Sequence, residues 1–557
     1  MGSGKFWLVL LFAGGLGWFL LDVCHPSAAA AEPPSASDWA NKGLAFFGTN
    51  QPREAIDAYS KAIELNPKDA DTYRNRGLAY SSLGDGKRAV EDYTKAIELN
   101  PKDVAAYRNR AFAHGSLGDY AQAIKDFDMV AELDPKDADV YRNRAFAYGN
   151  LGDHRQAIKD FDKAIELNQK DVAAYRNRAF AYGNLGDHRQ AIKDFDMAAE
   201  MDPKDPDVYR NRGLAYGNLG DHKQAIKDFD RAVELNPKDG DAYRHRGLAY
   251  RSLSDDKRAI EDFNEATALN PKDVAAYRNR AFAHGRLGDH RQAIKDFDMT
   301  VELDPKDPDV YRNRGLAYGN LGDHKQAIKD FDKAVELNPK DVAAYRNRAF
   351  AYGNLGDHKQ AIKDFDMVAE LDPKDPDVYR NRAFAYGNLG DHKQAIKDFD
   401  KAVELNPKDV AAYRNRGFAC VKLDDSKRAI ADFSKVIELT PKDPEAYRRR
   451  GITYSRTGDH RRAIADFDKM TELNPGSPDG YTLRGAAYAA LGKYKRAFDD
   501  FNRAVELNPK DPEARYNRGL AFNTVGKFPE AIEDMKIASR SGHEGAREFL
   551  AKQGIAW

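Results

Sequence analysis

An arginine followed by an asparagine recurs along this chain at a strict interval. It reads Arg74-Asn75, Arg108-Asn109, Arg142-Asn143, Arg176-Asn177 and Arg210-Asn211, then Arg244-His245, then Arg278-Asn279, Arg312-Asn313, Arg346-Asn347, Arg380-Asn381 and Arg414-Asn415, each 34 residues after the last. A carboxamide carries a donor and an acceptor together and so matches a peptide bond, whereas a guanidinium forks onto a carboxylate or phosphate. Repeated at fixed spacing, such pairs suit the gripping of one extended chain at many points better than the conversion of a small molecule. These arginines and asparagines are the candidate contacts for a protein or extended peptide, an acidic one where the arginines take part.

Other reactive side chains follow the same interval and point away from catalysis. Histidine recurs as His154, His188, His222, His290, His324, His358, His392 and His460. Successive rungs one helix pair apart stand farther than the ~4 Å that separates two ligands of one zinc ion, so solvated residues and no metal are expected. No phosphate-cradling glycine-rich loop, His-Glu-x-x-His or nucleophile–base pair stands outside the repeat, so no cofactor and no enzymatic activity are expected. Cys24 and Cys420 are the only cysteines, too few for a disulfide framework or a cysteine metal site. Cys420 reads as a small core residue. Lys and Arg number 88 against 89 Asp and Glu; without a basic excess, nucleic acid is not an expected partner.

The interval belongs to the scaffold as a whole. Prolines fall at 67, 101, 135, 203, 237, 271, 305, 339, 373, 407, 441, 475 and 509, with Gln169 filling the one gap. Units counted from Ala36 give fifteen tandem repeats over 36–545; positions within a unit run from 1 to 34. In 342–375, Tyr345, Ala349 and Tyr352 recur at helical spacing, Leu355-Gly356-Asp357 interrupts, and Ala361, Phe365 and Val368 recur again. Two amphipathic helices joined by a tight turn are the reading, with Asp357 as cap of the second and Pro373 as its stop. One pair cannot bury its apolar stripe alone, so neighbours must stack.

The units resemble the tetratricopeptide repeat family, whose W-x2-L-G-x2-Y, A-x3-F, P pattern appears as Trp39, Gly43, Phe46, Ala55, Tyr59 and Pro67, and again as Tyr209, Gly213, Tyr216, Ala225, Phe229 and Pro237. Arginine at position 7 (Arg76, Arg110, Arg144) replaces the family's leucine, and Arg515-Tyr516 stand in swapped order. The resemblance implies an all-α fold, a right-handed superhelical solenoid of antiparallel helix pairs, whose concave groove is lined by the first helix of each pair. It also implies that positions 5 and 6 face that groove, the asparagines forming a ladder on an extended peptide. The family's carboxylate clamp wants lysine at position 2 of a late unit, which is absent.

A bland reading stands beside this one. Asp71, Asp139, Asp207, Asp309 and Asp377 precede the position-5 arginine by three residues, a spacing for pairing within one helix. In alternate units alanine stands there instead (Ala105, Ala173, Ala275, Ala343, Ala411), leaving those arginines freer. Arginine at position 7 is expected to pack its stem between units and pair with acids of the second helix. The Lys-Asp-Phe-Asp runs, such as 329–332, are expected to form a solvated face.

Two longer features complete the reading. Block 70–239 is nearly repeated as 240–409, which makes two near-identical surfaces, and 546–557, with Phe549, Leu550, Ile555 and Trp557, is expected to form a capping helix. At the start, an apolar run over 6–21 and the small residues of 27–31 read as a signal peptide cleaved after Ala30 or Ala31, or as an uncleaved single-pass inner-membrane anchor. The chain is thus expected in the periplasm or secreted, touching membrane only if that segment stays. A binding scaffold is the first functional expectation, a self-assembling subunit of an envelope complex the alternative.

Overall fold

The computed structural model describes residues 33–556, and the expected signal or anchor lies outside them. Among the described residues every regular element is a helix. None of these helices is long and apolar enough to cross a membrane. The chain forms two compact bodies, one through Pro237 and one from Lys238. Six antiparallel helix pairs make up the first; nine pairs and a short closing helix make up the second.

Unit 342–375 shows how the sequence builds a pair. Asp341 opens the first helix, Val342–Asn354, its carboxylate accepting the Ala344 amide at 3.0 Å. Gly356 ends it at φ 80°, a left-handed conformation that a Cβ disfavours. The amides of Gly356 and Asp357 turn back to the carbonyls of Gly353 and Tyr352 at 3.0 and 2.9 Å. Asp357 then caps the second helix, His358–Leu371, accepting the Gln360 amide at 3.2 Å. Three units make the same turn without glycine, holding Asn50, Ser254 and Asp424 at φ 60°, 63° and 59°.

The core is renewed at every step. Ala349, Ala361, Phe365 and Val368 pack together with Val378 and Ala385 of the next unit. Position 8 decides how closely the helices meet. A Cβ on Gly315 would stand 2.8 Å from the Phe331 ring, so glycine lets that ring lie against the backbone, and Leu316 follows it. Where Ala349 replaces glycine, Phe350 follows and meets Phe365 edge-on, ring centroids 5.7 Å apart. Gly-Leu and Ala-Phe are two ways of packing the same place, the bulkier pair setting the two rings edge-on.

The Lys-Asp-Phe-Asp runs are a solvated face only at their first and last residues. Phe331 is core, and Asp330, only 6% exposed, is held at both oxygens by Arg314, at 2.6 and 2.8 Å. Asp332 accepts from Arg348 of the following unit at 2.7 Å; Lys329 and Asp332 are the exposed members of the run. Arg314 and Arg348, at position 7, thus each join their own second helix to the preceding one, with the guanidinium near the position-4 tyrosine (Arg348 over Tyr345, 5.3 Å). Taking a guanidinium out of water requires counter-charge: two aspartates supply it to Arg348, whereas Arg110 and Arg280 have one aspartate and a neutral Thr94 or Asn264 in place of the second.

The closing helix runs over Glu544–Lys552, earlier than the expected 546–557. His543 caps it, its ring nitrogen accepting the Ala546 amide at 3.1 Å, and Gly554 at φ 69° follows its end. Leu550 is fully buried against Met535 and Ala538. Cys420 is fully buried in a cluster with Ala429 and Phe433, and burial pushes its thiol up to about 11.

Candidate functional site

The position-5 arginines reach forward into the next unit. Arg74 meets Asp103 at 2.6 Å, Arg142 meets Asp171 at 2.8 Å, Arg312 meets Asp341 at 2.6 Å and Arg380 meets Asp409 at 2.8 Å. Each of these aspartates also caps the first helix of its own unit: Asp341 gives one oxygen to Arg312 and the other to the Ala344 amide. The same arginines take the position-2 acid as a second partner: Asp71 for Arg74, Asp139 for Arg142, Asp309 for Arg312 and Asp377 for Arg380. Arg210 likewise binds Asp207 at 2.7 Å.

The arginines with alanine at position 2 keep a single acid. Arg176 meets Asp205 at 2.9 Å, Arg278 meets Asp307 at 3.2 Å and Arg414 meets Asp443 at 2.8 Å; Arg108 and Arg346 pair with Asp137 and Asp375. The Nε of Arg108, Arg176, Arg346 and Arg414 is buried without a hydrogen-bond partner. These are the freer members of the row, yet none is without a counter-ion. Sequence spacing missed the dominant acid because it lies 29 residues on, across a unit boundary.

The asparagines at position 6 are half-buried: Asn75, Asn109, Asn143, Asn177, Asn211, Asn279, Asn313, Asn347, Asn381 and Asn415. In four of them the carboxamide nitrogen turns back onto the carbonyl four residues earlier: Asn211 at 2.6 Å, Asn279 at 2.8 Å, Asn313 at 2.7 Å and Asn415 at 2.8 Å. With that hydrogen spent, each of these side chains keeps one amide hydrogen and its oxygen, the oxygen of Asn279 already accepting from Arg251.

A cavity of about 270 Å³ lies between units 342–375 and 376–409. Phe350 and Phe384 form its apolar walls, with Asn354, Asn381, Asn388 and His358 as polar groups around them. Of the arginines and asparagines put forward as peptide contacts, Asn381 alone lines it. The two phenylalanines, at position 9, are 44% and 42% exposed, and Phe146 and Phe180 form a second exposed pair in consecutive units of the first body. Sequence reasoning passed over this row, because an aromatic beside core alanines reads as core. The visible signal was the coupling of Ala-Phe against Gly-Leu at positions 8 and 9. His358, expected in solvent, is half-buried on the cavity wall.

A second cavity, about 210 Å³, stands between units 444–477 and 478–511 and is more apolar, with Ile452, Phe467 and Leu483 around His460. Both cavities have apolar walls and room for one apolar side chain, and only the first is flanked by carboxamides. Full burial of one leucine or phenylalanine side chain is worth about 1.5–3 kcal/mol.

Family models of the tetratricopeptide repeat match 70–103, 104–137, 138–171, 172–205, 206–239, 308–341, 342–375 and 376–409. Related models of the repeat match 43–84, 247–288 and 485–526, 433–465, and 410–443. No curated protein matches the chain. Among solved structures, a tetratricopeptide repeat protein from Parabacteroides merdae is 22% identical, covering 44% of this chain and 98% of its own, with a TM-score of 0.35. YrrB, a TPR protein with an unusual peptide-binding site, is 26% identical over 34% of this chain and 96% of its own, TM-score 0.31. MamA from Desulfovibrio magneticus RS-1 is 28% identical over 30% and 96%, TM-score 0.30.

Proposed function

The chain belongs to the tetratricopeptide repeat family, and we propose that it is a non-catalytic scaffold holding an extended segment of a partner protein along the face of its first helices. Proteins of this family generally act as scaffolds that bind other proteins or peptides. The observation that carries the reading here is the cavity between consecutive first helices, where exposed Phe350 and Phe384 stand beside Asn381. Large aromatics left in solvent at a regular place, flanked by carboxamides, suit apolar side chains spaced along an extended chain. The position-5 arginines support this less directly than their sequence suggests, since their charge is already met by aspartates.

Export to the periplasm or cell envelope completes the proposal. It is supported by the apolar run over 6–21 and the small residues that follow. The groove reading is tested by panning a phage-displayed library of random twelve-residue peptides on the full chain. Peptides enriched on the parent protein are expected to share spaced apolar residues and to be lost from the Phe384→Ala and Asn381→Ala chains at unchanged helicity. Enrichment indifferent to both substitutions would move the binding face elsewhere. Concentration-dependent mass in light scattering, with no peptide enriched, would favour self-assembly instead.

A further inference from the structure

Units 240–273 and 274–307 depart from the regular pattern at the places that wall the cavity elsewhere. Between units 342–375 and 376–409 that wall holds Gly353 at position 12, His358 at position 17 and Asn388 at position 13 of the following unit. The corresponding places in 240–307 carry Arg251, Asp256 and Arg286. Position 6 is still asparagine and position 9 of the second unit still phenylalanine, as Asn279 and Phe282.

These side chains converge. Arg251 donates to the Asn279 carboxamide oxygen at 2.6 Å, and its guanidinium lies 6.0 Å from the centre of the Phe282 ring. Arg286 donates to the Arg251 carbonyl at 3.1 Å, and its Nε stands 3.2 Å from the buried Asp256. Arg278, on the same helix as Asn279, has Asp307 as its one acid, at 3.2 Å. Asp256 therefore answers Arg286 and Asp307 answers Arg278. Among the described residues no carboxylate stands within ion-pairing distance of Arg251, in contrast to every position-5 arginine described above. Burial, and the charges of Arg286 and Arg278 nearby, hold the Arg251 guanidinium below its usual pKa while Asp256 pulls the other way.

Three guanidinium groups set against two carboxylates leave one positive charge uncompensated in a half-buried place beside a ring. We propose that Arg251, with Arg278 and Arg286 around it, binds a carboxylate side chain of an extended acidic peptide lying in the groove, a reading that rests on the groove function above. A single surplus charge fits a monoanion, and the forked guanidinium with a neighbouring carboxamide fits the two oxygens of a glutamate or aspartate. The near-duplicate block gives the contrast: 170 residues earlier, Ser81 and Ser116 stand where Arg251 and Arg286 stand here. The two blocks are therefore not equivalent surfaces, and the acidic residue of a ligand fixes its register at 240–307.

Two fluorescein-labelled twelve-residue peptides test this on the full chain by anisotropy at low salt, one alternating glutamate with alanine, the other glutamine with alanine. The glutamate peptide is expected to bind on the order of tenfold tighter, as for one hydrogen-bonded charge pair, with the margin shrinking as salt is added. Arg251→Ser, which installs the residue of the earlier block, is expected to erase the margin at unchanged helicity. A guanidinium that only fills space would leave the margin intact while lowering stability. Equal binding of the two peptides, a margin that survives Arg251→Ser, or no binding of either at about 1 mM overturns the anion site. Glutamine-peptide binding that equals the glutamate peptide's and is lost in Phe384→Ala would leave the groove reading standing while this one falls.

Discussion

Arg348 and Asp364 are joined at two points, Nε to Oδ2 at 2.8 Å and Nη2 to Oδ1 at 2.6 Å, so that the first helix of a unit is clamped to its second by a fork on a carboxylate. The remaining Nη1 reaches back 2.7 Å to Asp332 of the preceding unit. Because the pair is largely out of water, breaking it and replacing it are different experiments. Asp364→Ala strands the guanidinium and is expected to destabilise units 342–409 by about 3 kcal/mol. The double variant Arg348→Leu with Asp364→Leu should lose less than the single one. Urea denaturation with hydrogen exchange over these units checks both; a double variant no better than Asp364→Ala would reject the account.

Position 8 offers a two-step test of packing. Gly315→Ala drives a Cβ into the Phe331 ring, 2.8 Å away, and is expected to cost about 1–3 kcal/mol. Adding Leu316→Phe recreates the Ala-Phe arrangement of Ala349 and Phe350 and should recover most of that loss. Denaturation midpoints that fall further in the double variant would show that the two pairs are not interchangeable solutions.

At Ser254 the backbone holds φ 63° where most units have glycine. Ser254→Gly removes the Cβ penalty of that conformation and is expected to raise stability by up to about 1 kcal/mol. A lower thermal midpoint in this variant would mean that the serine side chain contributes more than its strain removes.

Burial that lifts the Cys420 thiol to about 11 leaves it protonated and shielded at pH 8. Iodoacetamide should therefore leave the Cys420 peptide unmodified in the native protein and alkylate it fully in urea, as read by mass spectrometry. Rapid native labelling would indicate opening of the helix pair around it.

From the export proposal follows a defined mature chain. Its intact mass is expected to correspond to a start at Ala31 or Glu32, with Trp7, Trp18 and Cys24 gone. An exported protein that retains Met1 would select the anchor.

Local signals made the helix pairs legible in the sequence. Gly356, Asp357 and Pro373 mark a turn, a cap and a stop through properties of their own backbones, and none needs a distant partner to be understood. The candidate site was less legible, since its residues are defined by contacts between units. Arg346 looks unpaired beside Ala343, yet its acid is Asp375, beyond a turn and a whole helix. Asp330 looks solvated in a run of charges, yet Arg314 buries it. Phe384 has the spacing of a core residue, and only the stacked first helices show that its ring is left outside.

The two-sided carboxylates have a mechanical consequence. Asp341 holds Arg312 with one oxygen and the start of its own helix with the other, so the grip of one unit on the next and the cap of that next unit share a single side chain. Pulled from its ends, either body should therefore yield in whole repeats, each releasing about 110–120 Å of extended chain, and each should reclose as a ratchet tooth when the load drops. An array tethered at one end and loaded at the other would behave as a spring with a regular sawtooth, taking up slack between its tether and its cargo.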